Sequence, residues 1–306
     1  VRLTFGLFVP VPLDLATAAS VPLRSLRSLR GTDATFFLAI FHLRGNIQVS
    51  RGRRSSIDPS MKYGVAFLLN AGCALAFAVW AAATLPFGIG VVVATSLVWL
   101  AASFVWVSAA YLGLGAKAFG KRSDGRLRPI AIVALAPYLL LTWGIWHAVR
   151  ACSREPPWHR VSERLIVGRR LLPNELPGEV ANVVDLTAEF VEPKAILDRT
   201  SYFSFPILDA GTAGEASVAE LARTIASLPG LTYLHCALGH GRTGTVAAAV
   251  LVAGGEEMSA EGALQRLREL RPGLDVNERQ RTFLEQVCKQ LTEECERSGG
   301  VSQRLT

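Results

Sequence analysis

A chain of 306 residues that is 50% hydrophobic, with 32 Lys and Arg against 25 Asp and Glu, can bury one large core or two ordinary ones, and its net charge of +7 invites a nucleic-acid reading. Counted by segment, residues 1–62 carry +6, residues 63–150 carry +5 and residues 151–306 carry −4. The basic charge therefore flanks the most apolar part of the chain, where Lys and Arg settle at lipid headgroups, and nucleic acid loses its compositional support as a partner.

Residues 1–60 are rich in Arg, Ser and Leu without a sustained period of 2 or 3.6, and the first methionine is Met61. They read as a disordered leader or an over-extended reading frame. Residues 61–150 then read as a membrane region. Tyr63 to Ala116 is a run of 54 residues without Lys, Arg, Asp or Glu, and Pro129 to Val149 adds 21 more. A bilayer crossing takes roughly 20 apolar residues, and soluble helices are seldom apolar all round for so long. Leu85-Pro86-Phe87-Gly88 punctuates the first run, so the predicted spans are 63–84, 89–114 and 129–149, with the loop 117–128 between the second and third. Trp143 and Trp146 near the end of the third span are expected at the lipid interface. Residues 151–160, with Pro156-Pro157, read as a short stiff linker.

From 161 to 296 short β-rich runs alternate with helical patterns, which predicts an α/β domain with a central sheet flanked by helices, following an all-α transmembrane region. The runs are 164–168, 181–187, 202–207 and 231–236. Val218, Leu221, Ile225 and Leu228 repeat at helical spacing, a buried helix runs from Thr243 to Gly254-Gly255, and another starts at Ser259. Asn277 with Gln280 three residues on forms a capping box before the last helix, and residues 297–306 read as a flexible tail. Of the five cysteines, Cys73, Cys288 and Cys295 read as small buried apolar residues, and Cys152 has no partner spacing.

Cys236 is different, because it stands at the end of a predicted strand and opens "HCALGHGRTG", residues 235–244. A strand-to-helix loop of Ala237, Leu238, Gly239, His240 and Gly241 can converge its N–H groups on one anion, with the helix dipole behind it. The same field stabilises a thiolate, so Cys236 reads as a nucleophile facing a phosphate. Arg242 offers a planar fork for two phosphate oxygens. Thr243 is placed to donate to the sulfur, and His235 is expected to orient the loop rather than to move protons. His240 reads as an exposed loop histidine or a contact to a second anion. A phosphate ester needs an acid for its leaving oxygen. Asp209, opening a Gly-rich loop after the third run, is the preferred candidate, with Asp185 and Glu215 as the others.

"HCALGHGRTG" matches the HCxxGxxRTG pattern, and with "VVDLT" and "FPILDAG" upstream residues 161–296 resemble the dual-specificity branch of the cysteine-dependent protein-tyrosine phosphatase superfamily. The resemblance implies a phosphocysteine intermediate on Cys236, phosphate binding by the loop and Arg242, and an acid at Asp209, without metal or cofactor. The loop lacks the lysines that phosphoinositide phosphatases of the superfamily carry there, which speaks against a polyphosphorylated inositol head.

The leading expectation is thus a membrane-anchored phosphomonoesterase for phosphotyrosine or phosphoserine/threonine proteins. A phospholipid headgroup phosphate, such as phosphatidylglycerophosphate, is the alternative substrate, and an inactive phosphate-binding scaffold the alternative of another class. The expected setting is the lipid bilayer of a bacterial inner membrane; nothing specifies an oligomeric state. The side of the membrane stays open. Five basic residues and one acid put loop 117–128 in the cytoplasm, and three spans then put the domain outside, whereas Arg150, Arg154, Arg160 and Arg164 and a reactive thiolate favour the opposite.

Overall fold

In the computed structural model, which describes residues 59–302, the apolar region forms three long helices: α1 (Pro59–Thr84), α2 (Phe87–Ala109) and α3 (Pro129–Cys152). All three are long and apolar enough to cross a membrane by length and composition. The reading of residues 1–60 falls outside the described residues, except that 59 and 60 open α1. Pro86 breaks the first run where expected, and α1 and α2 pack as a hairpin whose open end is tied by Ser108 Oγ donating to Gly64 O at 2.7 Å. A π-helical turn, Ala110–Leu114, ends α2, with Gly113 at φ 158°.

The sheet has five strands: β1 (Trp158–Arg160), β2 (Leu165–Arg169), β3 (Val180–Thr187), β4 (Ser201–Ile207) and β5 (Leu231–Cys236). Their order is β1-β2-β5-β3-β4, parallel except for β1, which runs antiparallel to β2. Four of these strands lie where the β-rich runs are. β1 lies within 151–160, so the segment read as a stiff linker already belongs to the sheet. Its three residues are too short for a period to declare itself, and pairing with β2 is what makes them a strand.

Helices α5 (Glu215–Ser227), α6 (Gly241–Ala253), α7 (Ala260–Leu270) and α8 (Glu278–Ser302) cover one face, and the single turn α4 (Lys194–Leu197) joins β3 to β4. Val184, Leu234, Val246, Leu264 and Leu284 lie in the core on the helical face; Ile166, Val183, Leu231 and Tyr233 form a smaller one on the other. Ser259 caps α7 by accepting from Gly262 N at 3.1 Å. Asn277 and Gln280 close the capping box of α8, Gln280 N to Asn277 Oδ1 at 2.9 Å and Asn277 N to Gln280 Oε1 at 3.3 Å. The α8 backbone continues to Ser302, into the stretch read as a tail. Cys288 is buried in the core, and burial pushes its thiol up to about 12.

A third apolar cluster joins the helical region to the domain: Val107, Phe119, Leu127, Leu135 and Leu139 pack with Ala188. Trp143 and Trp146 belong to this junction. Trp143 Nε1 donates to Glu189 O and Trp146 Nε1 to Ala237 O, each at 2.9 Å, and Trp146 is only 3% exposed. Both indole N–H groups thus find their acceptors in loop carbonyls of the domain, as a buried indole N–H requires.

Candidate active site

Cys236 ends β5, the middle strand, at the carboxyl edge of the sheet where strand-to-helix loops converge and ligands bind in α/β folds. The next four residues wrap back to the N-terminus of α6. Gly239 has φ +76°, and a Cβ there would come within 2.3 Å of the Gly168 carbonyl carbon, so only glycine fits. Gly241 and Gly244 are small for another reason: a Cβ would strike Gln280 or Leu274, which pack on the helix start.

The carbonyls of the loop are held outward. Ala237 O accepts from Trp146 Nε1 at 2.9 Å and from Arg170 N at 3.1 Å, Leu238 O accepts from Arg271 Nη2 at 3.1 Å, and Gly239 O accepts from Arg271 Nε at 3.0 Å. A trans peptide is planar, so pinning each carbonyl outward turns the next N–H toward the sulfur side. Gly239 N donates to Cys236 Sγ at 3.3 Å. Buried Arg271 also bonds Pro156 O at 3.1 Å and Glu155 at 3.1 Å. It is thus the outer brace of the loop, and nothing in its sequence surroundings marks it.

Arg242 is 2% exposed and gripped by Glu189 through two bonds, Nη2 to Oε1 at 2.8 Å and Nη1 to Oε2 at 3.1 Å, with Nη1 also donating to Ile207 O at 2.9 Å. Burial alone would pull its pKa down, but Glu189, and after it Asp209, hold it well above the usual value. Its Nε is buried with no partner among the described residues, and so is Thr243 Oγ1. The expected hydrogen bond from Thr243 to the sulfur is therefore not made here; the Gly239 amide takes that place. A buried donor without an acceptor costs roughly 1–3 kcal/mol, which an arriving anion would recover.

Asp209 stands beside this cluster, with Oδ1 3.4 Å from Arg242 Nη2 and its side chain 40% exposed. Its backbone carbonyl accepts from Tyr111 Oη, at the end of α2, at 3.2 Å. The following loop is tied to the α8 cap: Asn277 Nδ2 donates to Ala210 O and Gln280 Nε2 to Gly211 O, each at 3.1 Å. Glu215 is exposed in the first turn of α5. Asp185 is fully buried and bonded to Lys121 Nζ at 2.5 Å, Tyr202 Oη at 2.8 Å, and Thr187 N and Oγ1 at 2.7 Å. Burial opposes its charge, yet Lys121 and then His235 hold it well below the usual carboxylate range, so it has no proton to give.

Behind the loop, His235 is buried, with Nδ1 3.3 Å from Cys236 O, and burial lowers its pKa to about 4. His240 is not a lone loop histidine: its Nε2 meets Glu155 at 2.8 Å. Asp185, Glu192 and His235 bring potential metal-ligand atoms within 4.8 Å of one another, but the Lys121 ammonium already supplies the cation there.

Glu192 is pushed up to about 8, by burial first and by Asp185 next. An unfolded Glu loses its proton near 4.5, the folded one near 8, so between those values the folded state holds more protons and stability falls as pH rises. In detergent, Glu192→Gln should lack this decline, gaining on the wild type by up to roughly 1.4 kcal/mol per pH unit across that window. Melting temperatures at pH 5, 6.5 and 8 check it, and parallel curves for both proteins would show that Glu192 is not protonated.

Sequence reading missed Glu189, Arg271, Lys121 and Tyr111, because each acts from a distant part of the chain. Residues 174–284 match the protein-family model described as PTP-SAK, Swiss Army Knife protein, DSP-PTPase phosphatase domain. A comparison with curated proteins finds no match. Among solved structures, PTPMT1 in complex with PI(5)P is 18% identical, covering 45% of this chain and 99% of its own at a TM-score of 0.41. Human DUSP28 is 19% identical, with 45% and 96% covered and a TM-score of 0.41. Tk-PTP in its active form is 26% identical, with 45% and 97% covered and a TM-score of 0.39. Residues 174–284, which hold the strand, loop and helix just described, are thus the part of the chain that is similar to a dual-specificity-type phosphatase domain.

Proposed function

We propose that this chain is a membrane-anchored phosphomonoesterase that works through a phosphocysteine intermediate on Cys236. The observation that carries the reading is the loop itself: its carbonyls are held outward over three successive residues, beside a buried guanidinium with an unpartnered Nε. Such a cradle suits a tetrahedral dianion and little else.

The Cys236 thiolate attacks phosphorus, and the ester oxygen departs with the proton of Asp209, leaving phosphate on sulfur. Asp209, now ionised, takes a proton from water as that water attacks phosphorus, and the thiolate leaves. Arg242 follows the charge of the equatorial oxygens in both steps while Glu189 fixes its plane. Loop amides, and the Thr243 hydroxyl once it turns to the sulfur, stabilise the departing thiolate. Anchoring rests on the three long apolar helices.

Phosphoproteins and phospholipids with a terminal headgroup phosphate both present a phosphate monoester. One contact favours the lipid: Tyr111, at the end of an apolar helix, bonds the backbone of the proposed acid. Full-length protein in vesicles should therefore turn over a lipid phosphomonoester in its own bilayer faster than a soluble phosphotyrosine peptide, and chelator should change neither rate. Strong peptide activity with none on any lipid would discard the lipid reading. Activity lost to chelator and regained with a divalent ion would discard the phosphocysteine mechanism.

A further inference from the structure

We propose that the chain crosses the bilayer twice rather than three times. In this arrangement α1 and α2 form the membrane hairpin, and α3 lies along the phosphatase domain at the membrane surface. Loop 117–128 and the domain then share one side. This rests on the membrane reading above and is independent of the catalytic one.

Both ends of α3 are fastened to the same folded domain. Before α3, Lys121 Nζ bonds Asp185 at 2.5 Å and Thr187 Oγ1 at 3.0 Å, and Glu192 N donates to Gly125 O at 3.1 Å. In the second half of α3, Trp143 and Trp146 donate to Glu189 O and Ala237 O, and Arg150 pairs with Glu175 at 3.5 Å. From Arg128 to Arg150 a helix rises about 33 Å, slightly more than the hydrocarbon core of about 30 Å. As a crossing, α3 would draw Asp185, Glu189, Glu192 and Arg242 into hydrocarbon or tear these contacts apart. Laid on the surface, it keeps every one of them.

The remaining charge falls into place. Lys62 begins α1, Lys117 follows α2, and the ends meet, with the Tyr63 and Tyr111 rings 5.4 Å apart. The opposite turn, Leu85-Pro86-Phe87, is uncharged. With two crossings, Lys62, the five basic residues of loop 117–128 and Arg150, Arg154, Arg160 and Arg164 all stand on one side, as the positive-inside rule requires. With three they are divided across the membrane. The face of α3 turned away from the domain carries exposed Ile130, Val133, Leu140 and Leu141. Its occupant is the headgroup and acyl boundary of the bilayer that holds α1 and α2, with Arg122, Arg126 and Arg128 facing the anionic headgroups.

The test uses the full chain in sealed membrane vesicles, with an epitope inserted after Ser123 and another at the C-terminus. Both should be reached by antibody from the same face. Spin labels on Val133→Cys and Leu140→Cys, in a chain whose native cysteines are serine, should sit at equal shallow depth, whereas a crossing would separate them by about 10 Å. Epitopes on opposite faces, or that depth difference, would overturn the proposal while leaving the membrane reading intact. Extraction of the chain by alkaline carbonate would overturn both.

Discussion

Cys236→Ser should abolish turnover, with a loss on the order of 10⁶-fold, the scale on which a covalent enzyme suffers when its nucleophile is removed. The substitution is nearly isosteric, and the Gly239 N–H that now donates to sulfur can donate to oxygen, so the loop should keep its shape. What changes is the attacking atom. Sulfur is intrinsically the stronger nucleophile, whereas a serine hydroxyl is a weak one without an adjacent general base, which the described residues do not place beside it. Phosphate should still bind, because Arg242 and the loop are untouched. Acid quenching during turnover of a radiolabelled substrate should trap phosphate on the wild-type protein and none on the variant. A serine variant that keeps its rate, or a wild type that traps no phosphate, would rule out the phosphocysteine.

Asp209→Ala should produce a loss that depends on the leaving group. Asp209 is proposed to protonate a departing oxygen, so a nitrophenolate, which leaves readily as an anion, should be little affected in its formation of phosphocysteine. An alkyl or serine ester needs that proton, and its rate should fall roughly 10²–10⁴-fold. The basic limb of the pH–rate profile should flatten, since it reports the acid. Substrate affinity should hold or rise slightly, because Arg242 loses a competing carboxylate 3.4 Å away while keeping Glu189. Equal losses for both substrates would assign Asp209 to positioning Arg242 instead. Asp185→Asn, by contrast, should lower stability and activity alike for every leaving group, because breaking a buried ion pair costs roughly 3–5 kcal/mol. If it removed the basic limb selectively, the acid would be Asp185.

Much of the fold could be read from local pattern. The β-rich runs of β3 and β5, the run of small apolar residues in α6 and the Asn277–Gln280 cap are signals within a few residues, and each element formed where its signal lies. The Cys236 loop was legible for the same reason, since its cysteine, glycines and arginine sit within one turn of chain. Its supports were not. Glu189 is 53 residues from Arg242, Arg271 is 32 from Gly239, and Trp146 is 91 from Ala237. No periodicity or motif links such pairs, because each belongs to an element whose own pattern is satisfied without the partner.

What the sequence by itself determined is the local pattern of each part: a Cys-x5-Arg loop within an α/β domain, and a stretch of apolar residues long enough to cross a membrane. Those follow from residue type and spacing, which act locally. Only the tertiary structure decided what the apolar helices pack against. Composition assigns α3 to the membrane as readily as α1 and α2, since all three pass the same test of length and hydropathy. A helix apolar on every side can meet lipid on one face and protein on the other, and sequence does not distinguish the two. The partners of Trp143, Trp146 and Lys121 show which face of this region meets protein, because a buried indole N–H or ammonium must find its acceptor, and those acceptors stand on the α/β domain.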